Sequence, residues 1–120
     1  MTTRQSHKRR GAKFEIELEE WLRLQGKESE RLVRTGKDDQ GDVYFSGANG
    51  KYVIEAKAPG ESGRIKLSEW IKEAVVEAAN YAFKRKHKAA PTPLVIIKAR
   101  GKSISESYVV LRLEDAIKFF

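Results

Sequence analysis

Two short apolar segments constrain the fold of this chain more than any other feature of its sequence. Residues 94–97, Leu-Val-Ile-Ile, form a continuous apolar run of mostly β-branched side chains, which is typical of a strand buried on both faces. Residues 51–58, Lys-Tyr-Val-Ile-Glu-Ala-Lys-Ala, predict a second strand that ends at Pro59-Gly60. Strands of this kind need helices that cover the sheet, so the sequence favours a layered fold.

Helical periodicity predicts the elements that cover the sheet. One apolar stripe predicts an amphipathic helix that starts at Gly11 and ends near Gly26, and its members are Phe14, Leu18, Trp21 and Leu22. A longer helix with a wide apolar face is predicted over residues 67–83. Its apolar residues are Leu67, Trp70, Ile71, Ala74, Val75, Ala78, Ala79, Ala82 and Phe83.

Weaker β signals complete the predicted order of elements. They predict strands at residues 31–34, 43–45 and 108–113, a hairpin turn at 46–50, and a short helix at 114–120. The sequence therefore predicts an α/β fold with a mixed β-sheet flanked by helices. Residues 1–10 carry basic side chains and hardly any apolar ones, so we expect a flexible basic arm followed by a single domain over residues 11–120.

Composition excludes several classes of function. The chain of 120 residues has no cysteine and two histidines, which excludes a disulfide scaffold and a thiolate zinc site and disfavours a Ser-His-Asp triad. It lacks a long apolar segment, a secretory signal and a phosphate-binding glycine motif, so we expect an intracellular protein without a membrane span or a nucleotide cofactor. With 24 Lys and Arg residues against 17 Asp and Glu, its net charge of +7 favours polyanionic partners.

The segment Gly41-Asp42-Val43-Tyr44-Phe45 and the strand that follows carry the residues with catalytic potential. Glu55 and Lys57 point to the same face of a strand, and a hairpin turn near residues 47–50 can bring Asp42 alongside them. Two carboxylates and a lysine at one place suit a hard cation such as Mg²⁺ and the hydrolysis of a phosphodiester. The alternative is a cross-strand ion pair on a solvated face, but the apolar neighbours of Glu55 argue against an exposed strand.

The segment "GDVYFSGANGKYVIEAKA" resembles the D-x(n)-E-x-K signature of the restriction-endonuclease-like nuclease superfamily. The segment "RRGAKFEIELEEWLRLQG" is similar to the first helix of the archaeal and phage Holliday-junction resolvases. The segments "LSEWIKEAVVEAANYAF", "PLVIIKARGK" and "YVVLRLEDAIKFF" are similar to the rest of such resolvases, so that the resemblance spans about residues 9–120. It implies an α-β-β-β-α-β core and identifies residues 11–120 as one nuclease domain.

The resemblance also implies a set of site residues. Glu15, Asp42 and Glu55 correspond to the acidic residues of the metal site, the carbonyl group of Ala56 to a further ligand, and Lys57 to the catalytic lysine. Gly41 stands where a proline is usual, which is expected to loosen the turn. Glu77 stands where related nucleases often have a glutamine, so no catalytic role is assigned to the long helix. The implied cofactor is Mg²⁺, for which Mn²⁺ can substitute.

The resemblance implies a function and a set of partners. We expect an endodeoxyribonuclease that resolves four-way DNA junctions as a homodimer, in the cytoplasm or nucleoid, which is that of the host cell if a phage encodes the protein. Val76, Phe119 and Phe120 are candidates for a dimer surface. A nuclease for duplex, flap or mismatched DNA, or a non-catalytic DNA-binding module, remains an alternative. The residues expected to contact branched DNA are Arg4, Lys8, Arg9, Arg10, Lys13, Arg34, Thr35, Lys37, Arg64 and Lys66.

Overall fold

The computed structural model describes residues 4–32, 39–60 and 63–120, with side chains from residue 10 onward in these ranges. One five-stranded sheet has its strands in the order β1-β2-β3-β4-β5. Their bounds are Glu28–Arg31, Val43–Gly47, Gly50–Lys57, Thr92–Ile97 and Tyr108–Val110. The pair β3–β4 is parallel and the three other pairs are antiparallel, which confirms the predicted mixed sheet.

Two long helices cover the sheet. Helix α1 spans Arg4–Leu24, and α2 spans Leu67–Lys84. Because β3 and β4 are parallel, the chain needs a crossover between them, and α2 provides it. A short helix α3, Leu113–Ala116, and 3₁₀ turns at Ile104–Glu106 and Ile117–Phe119 complete the described chain.

The core forms two layers, one on each face of the sheet. Alternate residues of β3 point to opposite faces, so Ile54 packs against Phe14 of α1, whereas Val53 packs against Ala78 of α2. The central strands are buried on both faces, as their apolar sequences predict, and Val53, Ile54 and Val95 have no exposed surface.

The first helix and the first strand differ from the sequence-based prediction. Helix α1 begins at Arg4, so residues 4–10 are helical where we expected a flexible arm, and the arginine, lysine and glutamine residues there are good helix formers. Strand β1 covers residues 28–31 and so begins three residues before the strand predicted at 31–34, of which residues 33 and 34 lie outside the described ranges. Its sequence, Glu-Ser-Glu-Arg, carries no apolar alternation that could have located it. Charged residues suit this edge strand, since they oppose pairing with another chain. The extent of a single domain over residues 11–120 stays a prediction.

The end of α2 also departs from the predicted apolar stripe. Phe83 was expected in the core, but 85% of its surface is exposed, whereas Tyr81 and Ala82 in the same turn of the helix are buried. Within the described residues, no helix combines the length and the apolar character that crossing a membrane requires.

Candidate metal centre and lysine site

Strand β3 presents Glu55 and Lys57 to helix α2. Both residues lie on the same face as Val53, which packs against α2. Glu55 is 7% exposed, and its Oε1 atom lies 3.7 Å from Nζ of Lys57. The alternation along the strand therefore places a buried carboxyl group and a lysine side by side, as the sequence predicts.

The β2–β3 hairpin brings Asp42 to the same place. Val43 pairs with Ile54, and the N–H group of Asp42 donates to the carbonyl of Ile54 at 2.9 Å. The N–H group of Ala56 in turn donates to Oδ2 of Asp42 at 2.8 Å. Asp42 thereby lies within hydrogen-bond contact of the Glu55 carboxyl group, so the structure brings these two predicted residues together.

Gly41 makes this close approach possible. Its φ angle is +96°, and a Cβ atom at this position would lie 2.4 Å from Cγ1 of Val53. Any side chain here would push the start of β2 away from β3. We expected Gly41 to loosen the turn, because it stands where a proline is usual. The structure shows instead that the small size of Gly41 lets Asp42 lie close to Glu55.

Two further carboxyl groups complete an acidic cluster that sequence reasoning did not identify. One carboxylate oxygen from each of Asp39, Glu55 and Glu77 lies within 4.8 Å of the others. Glu77 comes from α2 and is 5% exposed, while Asp39 comes from the loop before β2 and accepts a hydrogen bond from the N–H group of Gly41 at 2.9 Å. We use the term acidic cluster for Asp39, Asp42, Glu55 and Glu77.

Burial strongly perturbs the ionisation of this cluster. Loss of solvation, together with the negative charge of Glu55, raises the pKa of Asp42 to about 8. Loss of solvation and a hydrogen bond with Glu77 raise the pKa of Glu55 to about 9, and loss of solvation raises the pKa of Glu77 to about 7. In the absence of a cation, the cluster therefore holds protons at neutral pH.

Lys57 has a different electrostatic environment. Its Nζ atom lies 3.0 Å from Oε2 of Glu73 and 5.5 Å from the ring centre of Trp70. Burial opposes its charge, but the carboxylates of Glu55 and Glu73 outweigh that effect and raise the pKa of Lys57. The ammonium group therefore stays protonated at neutral pH in the protein without metal.

Glu15 lies close to this site but has its own cationic partner. Its Oε1 atom accepts a hydrogen bond from Nε of Arg31 at 3.1 Å. Burial and the nearby charge of Asp42 raise the pKa of Glu15, whereas Arg31 lowers it. Glu15 is not part of the group whose oxygen atoms converge, and its role as a metal ligand stays a prediction.

The acidic cluster fits a divalent cation. Its donor atoms are carboxylate oxygens, which hard cations such as Mg²⁺ and Mn²⁺ prefer. The Oε1 atom of Glu77 is buried and has no hydrogen-bond partner among the described residues, and a bound cation would satisfy it. Asp39, Glu55 and Glu77 could hold such an ion, with Asp42 adjacent.

Helix α2 also positions the loop that carries the acidic residues. The Nδ2 atom of Asn80 donates to the carbonyl of Asp39 at 2.8 Å, and Arg85 donates to the side chain of Gln40. Arg85 also lies 3.8 Å above the ring of Tyr81. These contacts fix the loop from the C-terminal half of α2.

The Asn80 contact leads to a first prediction. We expect Asn80→Ala to lower the free energy of unfolding by about 1 kcal/mol, because a half-buried carbonyl loses its donor. Denaturation in urea measures this change, and Lys72→Ala on the exposed face of the same helix is the control. Equal stability of the two variants would show that the Asn80 contact does not hold the loop.

The residues predicted to contact DNA are spread along the chain and differ in their exposure. Arg4, Lys8 and Arg9 belong to α1, while Arg34, Thr35 and Lys37 lie outside the described residues. Lys13 is exposed and lies 4.0 Å from Glu17, and Arg64 and Lys66 are exposed before α2. Arg10 instead packs its guanidinium group against Gly60, where a Cβ atom would lie 2.9 Å from it. Their role in DNA binding stays a prediction.

Comparison with known proteins adds a structural relative. No protein-family model matches the chain, and no curated protein matches it in sequence. Among solved structures, the chain is similar to Archaeoglobus fulgidus Hjc, a Holliday junction resolvase from an archaeal hyperthermophile. The two are 18% identical with a TM-score of 0.54, and the match covers 90% of this chain and 99% of that one. The chain therefore has the fold of that resolvase, which confirms the fold that the sequence resemblance implied.

Proposed function

We propose that this protein is a metal-dependent endodeoxyribonuclease that cleaves four-way DNA junctions. The observation that carries the proposal is the contact of Lys57 with buried Glu55, next to Asp42 and Glu77, on the fold of a resolvase. A DNA-binding module without catalysis has no need to bury the carboxyl groups of Glu55 and Glu77 next to Lys57, because unpaired buried charge is costly.

A divalent cation bound by the acidic cluster would supply the chemistry that the proposed cleavage needs. A divalent ion held by Asp39, Glu55 and Glu77 would lower the pKa of a water molecule and offset negative charge on the phosphate. The Ala56 N–H group orients the carboxylate of Asp42 toward the same place. We propose Mg²⁺ as the ion, with Mn²⁺ able to replace it, and the carbonyl of Ala56 and the carboxylate of Glu15 as further ligands.

The proposed reaction is hydrolysis of one phosphodiester bond. A water molecule releases one proton to solvent as its oxygen forms a bond to phosphorus, the bond from phosphorus to O3′ breaks, and O3′ takes up a proton from solvent to become a hydroxyl group. The products are a 5′-phosphate and a 3′-hydroxyl end. Lys57 keeps its proton throughout, and its ammonium group donates hydrogen bonds to the phosphate oxygens on which negative charge develops.

Two matched nicks in a four-way junction require two active sites. We propose that two copies form a symmetric dimer, since a two-fold axis matches the symmetry of the junction. Three apolar side chains support this proposal by their exposure, which is 57% for Val76, 40% for Phe119 and 90% for Phe120. Sedimentation equilibrium tests the dimer.

A cleavage assay tests the proposed function. We expect the protein to introduce paired nicks into a labelled four-way junction in the presence of Mg²⁺, and to leave it intact in EDTA. The linear duplex with the sequence of two junction arms is the matched control substrate. Equal cleavage of junction and duplex would replace the resolvase by a general nuclease, and binding without cleavage under Mg²⁺ and Mn²⁺ would contradict catalysis.

A further inference from the structure

A basic cavity lies on the α2 side of the sheet, away from the acidic cluster. Its volume is about 470 Å³, which is within the range of small-ligand sites. Three lysines line it from distant parts of the chain, namely Lys51 at the start of β3, Lys88 after α2, and Lys118 in the last 3₁₀ turn. The described residues of its lining include no carboxylate side chain.

Aromatic side chains form the other part of the lining. The rings of Tyr44 and Tyr81 stack with their centres 5.0 Å apart, and the ring of His87 meets Tyr81 edge-on at 5.9 Å. Tyr81 is 4% exposed and is covered by Tyr44 and by the guanidinium group of Arg85. The aromatic groups left to face a ligand are therefore Tyr44 and His87. Ammonium groups attract phosphate, and aromatic groups contact nucleobases, so a nucleotide combines the two features that this lining recognises.

The position of the cavity relates it to the acidic cluster. Tyr81 follows Glu77 by four residues, which is about 6 Å along a helix. Lys51 precedes Glu55 by four residues, which is roughly 13 Å along a strand. Nucleotides in one strand of duplex DNA are about 3.4 Å apart along the helix axis, so these two separations correspond to about two to four nucleotides.

We propose that the cavity binds an unpaired nucleotide of a DNA strand, about two to four nucleotides from the phosphate that is cleaved. Lys51, Lys88 and Lys118 contact the phosphates, and the Tyr44–His87 side of the cavity contacts the base. The inference rests on the proposed function, since it names a second contact for the same substrate. It explains why three lysines that are distant in sequence line one cavity whose described lining residues include no carboxylate side chain.

Binding measured without cleavage tests this inference. We expect the full-length protein in EDTA to bind a labelled single-stranded thymidine oligonucleotide. Binding should change the NMR chemical shifts of Lys51, His87 and Lys88. Lys51→Gln combined with Lys88→Gln should weaken binding by about fivefold and reduce the salt-dependence slope by about 1.4, which is 0.7 for each lost contact. Lys27→Gln combined with Lys102→Gln removes two exposed lysines elsewhere and should leave both quantities unchanged.

Competing ligands sharpen the test. Equally tight binding of inorganic phosphate would overturn the contact with the base, and equally tight binding of a glutamate hexapeptide would overturn the preference for nucleic acid. Chemical-shift changes confined to the surroundings of Asp39 and Glu55 would overturn the proposal that the cavity is the binding site. Glu55→Gln separates this inference from the proposed function, because it should abolish cleavage while oligonucleotide binding at the cavity persists.

Discussion

Replacing Lys57 by methionine is expected to lower the rate of junction cleavage by about 1,000-fold at saturating Mg²⁺. Methionine keeps an unbranched apolar side chain of similar volume but removes the ammonium group, which lies beside Glu55 and over the ring of Trp70. Loss of a positioned charge in a site shielded from water raises the barrier because the developing charge on the phosphate is no longer balanced. Single-turnover cleavage of the labelled junction measures the effect.

Three comparisons make this prediction specific. Lys72→Met removes a lysine from the exposed face of α2 and should leave the rate unchanged. Glu73→Gln removes one carboxylate partner of Lys57 and should alter the rate by less than about fivefold, because Glu55 still holds the ammonium group in place. Junction binding by Lys57→Met should persist. An unchanged cleavage rate in Lys57→Met would contradict the proposed role.

The position of Lys57 also shows what could be predicted from the sequence. Alternation along a strand fixes which side chains share a face, so Glu55 and Lys57 could be placed together without a structure. The hairpin turn at residues 47–50 fixed the direction of the return strand, and this brought Asp42 alongside them. Both inferences depend only on local geometry, which a short segment determines by itself.

The other two members of the acidic cluster depend on packing between distant elements. Glu77 reaches Glu55 only because of the rotation of α2 about its axis and its height above the sheet, which no local pattern determines. One signal was present, since Glu77 is three residues after Ala74 and four before Tyr81, on the buried stripe of the helix. A carboxylate on a stripe of this kind indicates a site, because burying it without a partner is costly.

The start of α1 and the position of β1 illustrate a different limit. No residue type in the first ten residues ends a helix, so the predicted start of α1 at Gly11 depended on composition alone. The high charge of residues 1–10 suggested an arm outside the helix, whereas the helix begins at Arg4. The residues of β1 carry no apolar pattern, because this edge strand contributes hydrogen bonds to β2 and little buried surface. Elements that bury little apolar surface leave little trace in a sequence.

The stability of the protein without metal is expected to fall as the pH rises. The pKa values of Asp42, Glu55 and Glu77 increase from 3.8, 4.5 and 4.5 to about 8, 9 and 7 on folding. The folded state therefore holds protons that the unfolded state has released, and the free energy of unfolding decreases from about pH 4 to about pH 9. We expect the Tm in EDTA to fall by at least about 10 °C between about pH 5.5 and about pH 8.5. Calorimetry measures this change.

A divalent cation should reverse the loss at high pH, since it replaces the protons that the cluster gives up. Mn²⁺ at about 100 times its dissociation constant stabilises the folded state by about 2.7 kcal/mol. The effect should be small near pH 5.5, where protons compete for the same oxygen atoms. Glu77→Gln provides the matched variant, because it removes one buried charge and one ligand while keeping the shape of the side chain. We expect this variant to have a higher Tm than the unsubstituted protein in EDTA at about pH 8.5 and a weaker response to Mn²⁺. A lower Tm in EDTA together with a full response to Mn²⁺ would place the metal elsewhere and leave Glu77 with a structural role alone.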